Sequence, residues 1–305
     1  MCGIAGIVYP QKDRAVDFAD VKKMCDVIRH RGPDDEGQYV KGNVGLGMRR
    51  LSIIDLSTGH QPIFNEDRSM AIVFNGEIYN HQSIRHELIA KGHTFATKTD
   101  TEAIIHAYEE WGVDCVQKLN GMFGFAIWDG RKNRLFLARD RIGIKPMYYY
   151  FDDKQLVFGS ELKSIVQIKS VPKEIETKAL DTFLTFEYIP SPYSIFKNVF
   201  KLPPGHWLMY ENSEIHLQQY WQLNYQRSSA GAGELEQKLD ELLEDAVKIR
   251  LMSDVPLGAF LSGGLDSSSI VAMMCRNSSE PVKSFSIGFD EATYNELPFA
   301  RRSEE

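Results

Sequence analysis

Cysteine is scarce in this chain, and its distribution excludes two classes of protein. The 305 residues include four cysteines, at positions 2, 25, 115 and 275. Small disulfide scaffolds contain cysteine at a much higher density, and zinc sites of the finger type need closely spaced pairs. We therefore expect free thiols and a reducing compartment.

The sequence also lacks a long apolar run and an excess of positive charge. No uninterrupted apolar stretch approaches the roughly 20 residues that a membrane-spanning helix needs. The N-terminal MCGIAGIVYP has no basic flank of the kind that precedes a secretory signal. A net charge of -7 gives no general attraction to nucleic acid or to an anionic membrane. These absences predict a cytoplasmic protein that binds neither.

The remaining composition is that of a globular protein, and the length predicts two domains. In the first, residues 2–220, short β-type runs alternate with turns and helical stretches, which predicts a layered antiparallel α+β domain. The predicted strands are Gly3–Tyr9, Leu51–Asp55, Ala71–Phe74, Phe123–Trp128, Leu135–Ala138, Met147–Phe151 and Leu156–Phe158, and the predicted helices are Phe18–Arg29, Gln82–Lys91 and Thr101–Trp111.

A different pattern begins after residues 224–233, whose small residues predict a linker. Leucines from Leu235 onward mark one face of an amphipathic helix. Val255–Leu261 then predicts a buried strand, Ser268–Arg276 a helix and Val282–Phe289 a second strand. This order predicts the beginning of an α/β domain with a parallel sheet in residues 234–305. Two strands are too few for an independent sheet, so we expect this domain to be incomplete here.

Cys2 directly follows the initiator methionine, so removal of Met1 would give one residue both a thiol and a free α-amine. The amine has a reference pKa of about 7.7–8.0 and can accept the thiol proton near neutral pH. Such a nucleophile needs no histidine. The structural alternative is a small apolar residue at the start of a buried strand.

Four further residues each have a functional and a structural interpretation. The Asn75 amide and the Gly76 N–H can donate to one developing oxyanion, although Asn-Gly is also a common turn. Arg50 can bind a carboxylate with two hydrogen bonds, or form a surface salt bridge. Asp100 can pair with an ammonium group, or cap the helix that begins there.

Eight segments occur in the order found in class II glutamine amidotransferases, and they most resemble the glutaminase domain of glutamine-hydrolysing asparagine synthetases. The resemblance covers residues 2–220 and implies an N-terminal-nucleophile hydrolase fold, with two antiparallel sheets between helices. It implies that Cys2 is the nucleophile, that Asn75 and Gly76 form the oxyanion hole, and that this half needs no cofactor. The segments are MCGIAGI, RHRGPD, RRLSIID, NGEIYNH, KTDTEAI, LNGMFGFAIWD, ARDRIGIKPMYY and FGSELKS. The implied glutamine-binding residues are Arg50, Leu51, Ile53, Ile54, Asn75, Gly76, Glu77 and Asp100.

The second domain contains a Ser/Gly loop, SGGLDSS, between its first strand and its first helix. Glycine N–H groups, serine hydroxyls and a helix N-terminus favour an anion there, although such a loop is often only a tight connection. SGGLDS resembles the pyrophosphate loop of ATP pyrophosphatase-type synthetases, which adenylate a carboxylate. The resemblance implies ATP with Mg²⁺, and Asp266 is the one candidate magnesium ligand. The implied ATP-binding residues are Leu261, Ser262, Gly263, Gly264, Asp266, Ser267 and Ile287.

These resemblances predict part of a glutamine-dependent asparagine synthetase, a ligase that passes ammonia from glutamine to an ATP-activated aspartate. We expect this chain to release ammonia but to form no asparagine alone, and we keep a homodimer as a candidate oligomeric state. Two alternatives stay open: an amidotransferase that serves another carboxylate acceptor, and a regulatory module without activity. His30, His81, His86 and His93 lack metal-ligand spacing with the cysteines, so we expect them on solvated or helix faces.

Overall fold

The structure is a computed structural model that describes residues 2–304. The chain separates between Leu223 and Asn224 into two compact units. The expected removal of Met1 concerns a residue outside the described part. Within residues 2–304, no helix is long and apolar enough to cross a membrane.

Unit 1 contains twelve strands and six α-helices among its described residues. Its strands are β1 Gly3–Val8, β2 Asp35–Lys41, β3 Val44–Arg50, β4 Ile63–Phe64, β5 Met70–Ile78, β6 Gly121–Asp129, β7 Arg134–Arg139, β8 Tyr148–Asp152, β9 Gln155–Gly159, β10 Val199–Lys201, β11 His206–Glu211 and β12 Glu214–Gln219. Its helices are α1 Phe18–Asp26, α2 His81–Ala90, α3 Asp100–Trp111, α4 Cys115–Lys118, α5 Leu162–Ile165 and α6 Thr177–Phe186, with 3-10 turns at Arg29–Arg31 and Gly112–Asp114.

The twelve strands form two antiparallel sheets that pack face to face. One sheet has the order β10-β8-β9-β1-β3-β2 and the other β12-β11-β7-β6-β5-β4. Side chains alternate between the two faces of each strand. In β5, Ala71 and Val73 join the core between the sheets, whereas Ile72 and Phe74 pack with α2 and α3 on the outer face. Helix α1 covers the outer face of the other sheet through Val21. The result is the four-layered sandwich predicted for this domain.

The structure corrects the prediction of a strand at Leu51–Asp55, because this segment is an irregular loop after β3. Its backbone groups bond to side chains instead of to a neighbouring strand. The Ser52 N–H donates to Asp34 at 3.0 Å, and the Ile54 carbonyl accepts from Arg50 at 2.8 Å. Apolar composition alone could not distinguish this loop from a strand, because the polar partners are distant in sequence or at its edge.

Two other boundaries in unit 1 differ from the predictions by three or more residues. Strand β5 does not end at Phe74 but continues to Ile78 through the Asn75-Gly76 pair, so this pair is not a turn. The length of β5 is set by β6, which pairs with β5 along all nine residues. Helix α1 ends at Asp26, before the predicted Arg29, and the Arg29–Arg31 turn follows it. Asp26 is held there by Arg49 Nη2 at 2.5 Å.

Unit 2 contains a short βαβ arrangement. Strands β13 and β14 are parallel, as predicted, but they are shorter than predicted and largely exposed, with Phe260 77% accessible. Pro256 has no N–H for a ladder, which contributes to the late start of β13. The elements are α7 Ala232–Lys248, a 3-10 turn Ile249–Leu251, β13 Gly258–Phe260, α8 Leu265–Arg276, β14 Lys283–Phe285 and α9 Leu297–Glu304.

Candidate active site

A pocket of about 320 Å³ opens beside Cys2 in unit 1. It is bordered by the loop after β3, by the end of β5 and by the start of α3. Every residue that the resemblance implies for catalysis and glutamine binding lines it: Cys2, Arg50, Leu51, Ile53, Ile54, Asn75, Gly76, Glu77 and Asp100. The further lining residues are Gly59, Gln61, Phe74, Thr99, Thr101, Met122, Ile144 and Lys145.

Cys2 immediately precedes β1, and both its backbone carbonyl and its thiol form hydrogen bonds. Arg31 Nε donates to the Cys2 carbonyl at 2.8 Å. The thiol donates to the Leu51 carbonyl at 3.5 Å, and the Leu51 N–H donates to Sγ at 3.4 Å. Burial raises the pKa of the thiol above its ordinary value, while the Leu51 N–H and the charges of Arg50 and Lys145 oppose this shift. A thiol in this setting benefits from an adjacent base.

Arg50 is the last residue of β3, and its buried guanidinium is half satisfied by protein. Nη2 donates to the carbonyl oxygens of Ile54 and Asp55, both at 2.8 Å. Nη1 is buried and has no hydrogen-bond partner among the described residues. Gly59 makes room for this group, because a Cβ there would lie 2.2 Å from Nη2. The arrangement orients one cationic donor that is available to a ligand.

The Gly76 N–H points to the pocket side of β5, as its neighbours along the strand show. The N–H of Phe74 donates to Gln61 Oε1 at 2.7 Å, and the N–H of Ile78 donates to Asp100 Oδ2 at 2.9 Å. Alternate N–H groups of a strand point to the same edge, so the Gly76 N–H lies between them on the edge away from β6. A side chain at Gly76 is excluded, because its Cβ would lie 2.1 Å from the Met122 carbonyl oxygen.

Asn75 adds an amide to the pocket. Its side chain is buried, and neither Nδ2 nor Oδ1 has a hydrogen-bond partner among residues 2–304. A buried, unsatisfied amide costs free energy, of the order of 1–3 kcal/mol for each group. Such groups are rare in native structures and favour a role in ligand binding.

Asp100 is the first residue of α3 and is not its N-cap, since Thr99 accepts hydrogen bonds from the N–H groups of Thr101 and Glu102. Asp100 instead points to the pocket. Burial, together with the nearby negative charge of Glu77, raises the pKa of Asp100 to about 7, although the Ile78 N–H opposes the shift. Two neighbouring carboxylates in an enclosed pocket favour a cationic ligand group.

Lys145 is a pocket residue to which the sequence assigned no role. It is buried, and burial lowers the pKa of its ammonium group, while the charges of Glu77 and Cys2 oppose this. Its position in the ARDRIGIKPMYY segment was the available signal. Gln61 and Thr101 also line the pocket without a role assigned from the sequence, and they are hydrogen-bonded to each other at 3.2 Å. Thr101 lies in the KTDTEAI segment, whereas Gln61 lies in none of the eight segments.

In unit 2, the Ser/Gly loop lies between the carboxyl end of β13 and the start of α8. Ser262 and Ser267 are joined through their hydroxyl oxygens at 2.9 Å, and Gly263 has a φ of 82°, which favours glycine. Asp266 is exposed in the first turn of α8. Leu261 is buried, and its carbonyl accepts from the Ser286 hydroxyl at 2.6 Å, whereas Ile287 is exposed just beyond β14. The loop residues and Leu261 are thus adjacent, and Ile287 follows the neighbouring strand.

Comparisons with known proteins find a family match for each of the two units. The family model described as "Glutamine amidotransferase domain" matches residues 1–221, and the one described as "Asparagine synthase" matches residues 238–305. Asparagine synthetase [glutamine-hydrolyzing] 1 of Bacillus subtilis is 37% identical over 99% of this chain and 48% of its own length. Asparagine synthetase [glutamine-hydrolyzing] 3 of the same organism is 35% identical over 95% of this chain and 48% of its length. The chain thus spans about half the length of these curated relatives.

A solved structure supports the fold independently. Glutamine phosphoribosylpyrophosphate amidotransferase of Bacillus subtilis, in complex with ADP and GMP, aligns with 95% of this chain and 67% of its own, with a TM-score of 0.53. The 16% sequence identity limits this likeness to the fold. The predicted N-terminal-nucleophile hydrolase fold is confirmed. With the family match over residues 1–221, the chain belongs to the glutamine amidotransferase domain family.

Proposed function

We propose that unit 1 hydrolyses glutamine to glutamate and ammonia, with Cys2 as the nucleophile. One observation carries this proposal: the pocket beside the thiol contains two buried donors, Arg50 Nη1 and Asn75 Nδ2, without a protein partner among the described residues. Together with Asp100 and Glu77, these groups match the charges of an α-amino acid that also has a side-chain amide. Arg50 would bind the α-carboxylate, and the two acidic residues the α-ammonium group.

The proposed reaction has two steps. The α-amine of Cys2 accepts the thiol proton, and Sγ bonds to the amide carbon of glutamine. The oxyanion that forms is stabilised by Asn75 Nδ2 and the Gly76 N–H. The carbon–nitrogen bond then breaks, the amine proton moves to the leaving nitrogen, and ammonia departs from a Cys2 thioester. Water attacks the thioester, which releases glutamate and restores the thiol.

For unit 2, we propose ATP binding at the Ser/Gly loop and, as part of a longer synthetase such as the relatives, use of the ammonia in asparagine synthesis. The support is the match of residues 238–305 to the asparagine synthase family and the names of the relatives. The loop fits a phosphate group, because Gly263 opens the backbone and the hydroxyls of Ser262 and Ser267 converge before the α8 N-terminus. ATP with Mg²⁺ would supply the activation of the aspartate carboxylate, and Asp266 is the candidate residue for Mg²⁺. We place these steps in the cytoplasm.

The test of the unit 1 proposal is ammonia release from glutamine by the full chain, without ATP or aspartate. We expect turnover that depends on glutamine and that is absent with D-glutamine, whose α-groups cannot all reach Arg50 and Asp100. Equal turnover of both enantiomers, or none of either, would contradict the proposal. Binding of ATP to unit 2 is tested by displacement of a fluorescent ATP analogue. The double variant Ser262→Ala, Ser267→Ala should have a lower affinity for ATP.

A further inference from the structure

A cluster of histidine and glutamate side chains lies on the outer face of unit 1, apart from the residues that line the pocket. Glu66 follows β4, His93 lies in the segment between α2 and α3, and His106 and Glu109 are one turn apart on α3. One ligand atom from each of these four residues lies within 4.8 Å of the other three. The sequence contained no signal for this cluster, because its members come from three separate segments. The expectation of a solvated or helix-face position is wrong for His93, which lies between α2 and α3 and packs among these side chains. His81 does lie on a helix, as the first residue of α2, and it is buried.

The separations in this cluster fit the coordination shell of a small cation. His106 Nδ1 lies 3.3 Å from Glu109 Oε2 and 3.4 Å from Glu66 Oε2. His93 Nδ1 lies 3.3 Å from Glu66 Oε1 and 4.0 Å from Glu109 Oε2. A tetrahedral zinc ion with bonds of about 2.0–2.1 Å keeps its ligand atoms about 3.4 Å apart. Three of the four separations match this value, and the two from Glu66 are made by different oxygens, so binding through one of them requires a small rotation of this exposed carboxylate. The longest separation involves His93, which is the more exposed of the two histidines.

The groups behind the cluster resemble the supports that metal ligands have. Glu109 Oε1 accepts from Asn65 Nδ2 at 2.7 Å, which leaves Oε2 directed at the histidines. The other ring nitrogen of His106, Nε2, lies 3.7 Å from Glu102 Oε1 and has no hydrogen bond among the described residues. Glu102 is itself fixed by the N–H groups of Ala96 and Thr97, both at 2.7 Å. A carboxylate beside the second nitrogen of a histidine is the usual support of a zinc ligand.

The local charge also favours a cation. The carboxylates of Glu66 and Glu109 lie 3.4 and 3.3 Å from Nδ1 of the buried His106, and that of Glu102 lies 3.7 Å from its Nε2. Glu110 adds a further carboxylate 3.7 Å from His93 Nε2, although it is bound to Lys91 at 2.8 Å. Carboxylates on both sides of a buried imidazole favour a bound metal ion, which must displace any proton that the ligand nitrogen carries.

The Arg131 guanidinium is a competing positive charge at the edge of the cluster. Its Nη1 lies 3.9 Å from Glu109 Oε1, on the side away from the histidines, and its Nη2 is bound to Asp67. It therefore neutralises the oxygen of Glu109 that is not directed at the histidines. The carboxylate oxygens that lie beside the imidazole nitrogens, Glu66 Oε1 and Oε2 and Glu109 Oε2, are not paired with Arg131.

We infer that Glu66, His93, His106 and Glu109 bind a divalent transition-metal ion, of which Zn²⁺ is the best fit. Two imidazole nitrogens and two carboxylate oxygens suit zinc, whereas Mg²⁺ and Ca²⁺ prefer oxygen ligands alone. Four protein ligands complete a tetrahedral shell, which is typical of a structural site. The ion would connect α3 to the segments after β4 and before α3. Because Asp100 begins the same helix, the site would stabilise the element that carries a pocket residue.

The test is zinc binding by the full chain after treatment with a chelator, measured by calorimetry and by metal content. Because a thiol and an amine on one residue can also bind zinc, every variant and control in this experiment carries Cys2→Ala. We expect about one zinc ion per chain and a higher melting temperature with zinc. Glu66→Gln and His93→Gln, both at partly accessible positions, should each weaken the affinity at least about tenfold. The matched control is His86→Gln, at an exposed position of α2 outside the cluster.

A second measurement distinguishes a metal site from an ion-pair network of protonated histidines. Co²⁺ in place of Zn²⁺ should give the intense visible absorption of tetrahedral coordination, without a thiolate charge-transfer band, and Glu66→Gln should require at least about tenfold more Co²⁺ to produce it. The inference is overturned if the zinc content does not exceed background, or if Glu66→Gln and His93→Gln bind zinc as the control does. Neither measurement depends on glutamine hydrolysis, so the result is independent of the proposed function.

Discussion

The thiol of Cys2 and the backbone of Leu51 are hydrogen-bonded in both directions: the Leu51 N–H donates to the sulfur, and the thiol donates to the Leu51 carbonyl oxygen. The N–H contact would persist and strengthen in the thiolate, whereas the carbonyl contact would become repulsive. Loss of the proton would therefore release the sulfur from one of its two contacts. The loop that begins at Leu51 thus holds the thiol of Cys2 and also forms a wall of the pocket.

Asn75→Ala should separate activity from stability. We expect kcat to fall roughly 10²- to 10³-fold, because one oxyanion donor is lost. The melting temperature should be unchanged or higher, because the buried amide makes no hydrogen bond to the described protein. The matched control is Asn65→Ala, which removes an amide bonded to Asp67, Glu109 and the Met70 N–H. The control should lower the melting temperature. A loss of stability in Asn75→Ala comparable to that of the control would contradict the assignment.

Arg50→Lys should raise the KM for glutamine although it keeps the charge. A charged hydrogen bond contributes about 1.5–3 kcal/mol, which corresponds to a roughly 10- to 100-fold change. Lysine also loses the two bonds from Nη2 that orient the guanidinium. The control is Arg49→Lys at the preceding residue of β3, which pairs with Asp26 and Glu36 on the opposite face. It should affect the melting temperature more than KM. Equal KM values for the two variants would refute the binding role of Arg50.

Gly59→Ala should impair glutamine binding without any change to a charged group. The added Cβ would lie 2.2 Å from Arg50 Nη2, so the guanidinium must move. We expect a higher KM and a smaller effect on kcat. Gly231→Ala is the control, because a Cβ there meets nothing within 4 Å. Steady-state kinetics that show no difference between these variants would mean that the position of Arg50 is not set by Gly59.

Glutamine affinity should decrease as the pH falls through about 7. In the free protein the pKa of Asp100 is raised to about 7, and the ionised form is the one that binds the α-ammonium group. The bound ammonium would lower this pKa, so binding below pH 7 releases a proton and weakens by up to about tenfold per pH unit. Calorimetry on Cys2→Ala protein measures binding without turnover. Asp100→Asn should bind more weakly and lose this dependence, and a flat profile with Asp100 intact would contradict its role.

The sequence was sufficient for the layers and for nine residues of the pocket, which the resemblance implied. Buried strands such as Ala71–Phe74 are continuous apolar runs, and the resemblance named residues that converge on one pocket although they are far apart in the chain. Roles carried over from the resemblance stay predictions until variants are measured.

What the sequence did not reveal depends on contacts between distant residues. Leu51–Asp55 has the composition of a strand, but Arg50 and Asp34 bind its backbone and hold it as a loop. The Asn75-Gly76 pair has the composition of a turn, but pairing with β6 extends it into a strand. The histidine–glutamate cluster has no local spacing pattern at all. In each case at least one decisive partner lies outside the window that a local pattern covers.

The most direct measurement is the rate of ammonia release from glutamine by the full chain and by Cys2→Ala, with Cys275→Ala as the control at an exposed cysteine of unit 2. We predict turnover in the unchanged chain and in the control, none above background in Cys2→Ala, and severe impairment in Cys2→Ser, since a hydroxyl is far less acidic than a thiol. Intact-mass analysis of the active protein should show that Met1 is absent. Glutamine turnover by Cys2→Ala, or full activity in protein that retains Met1, would contradict the account.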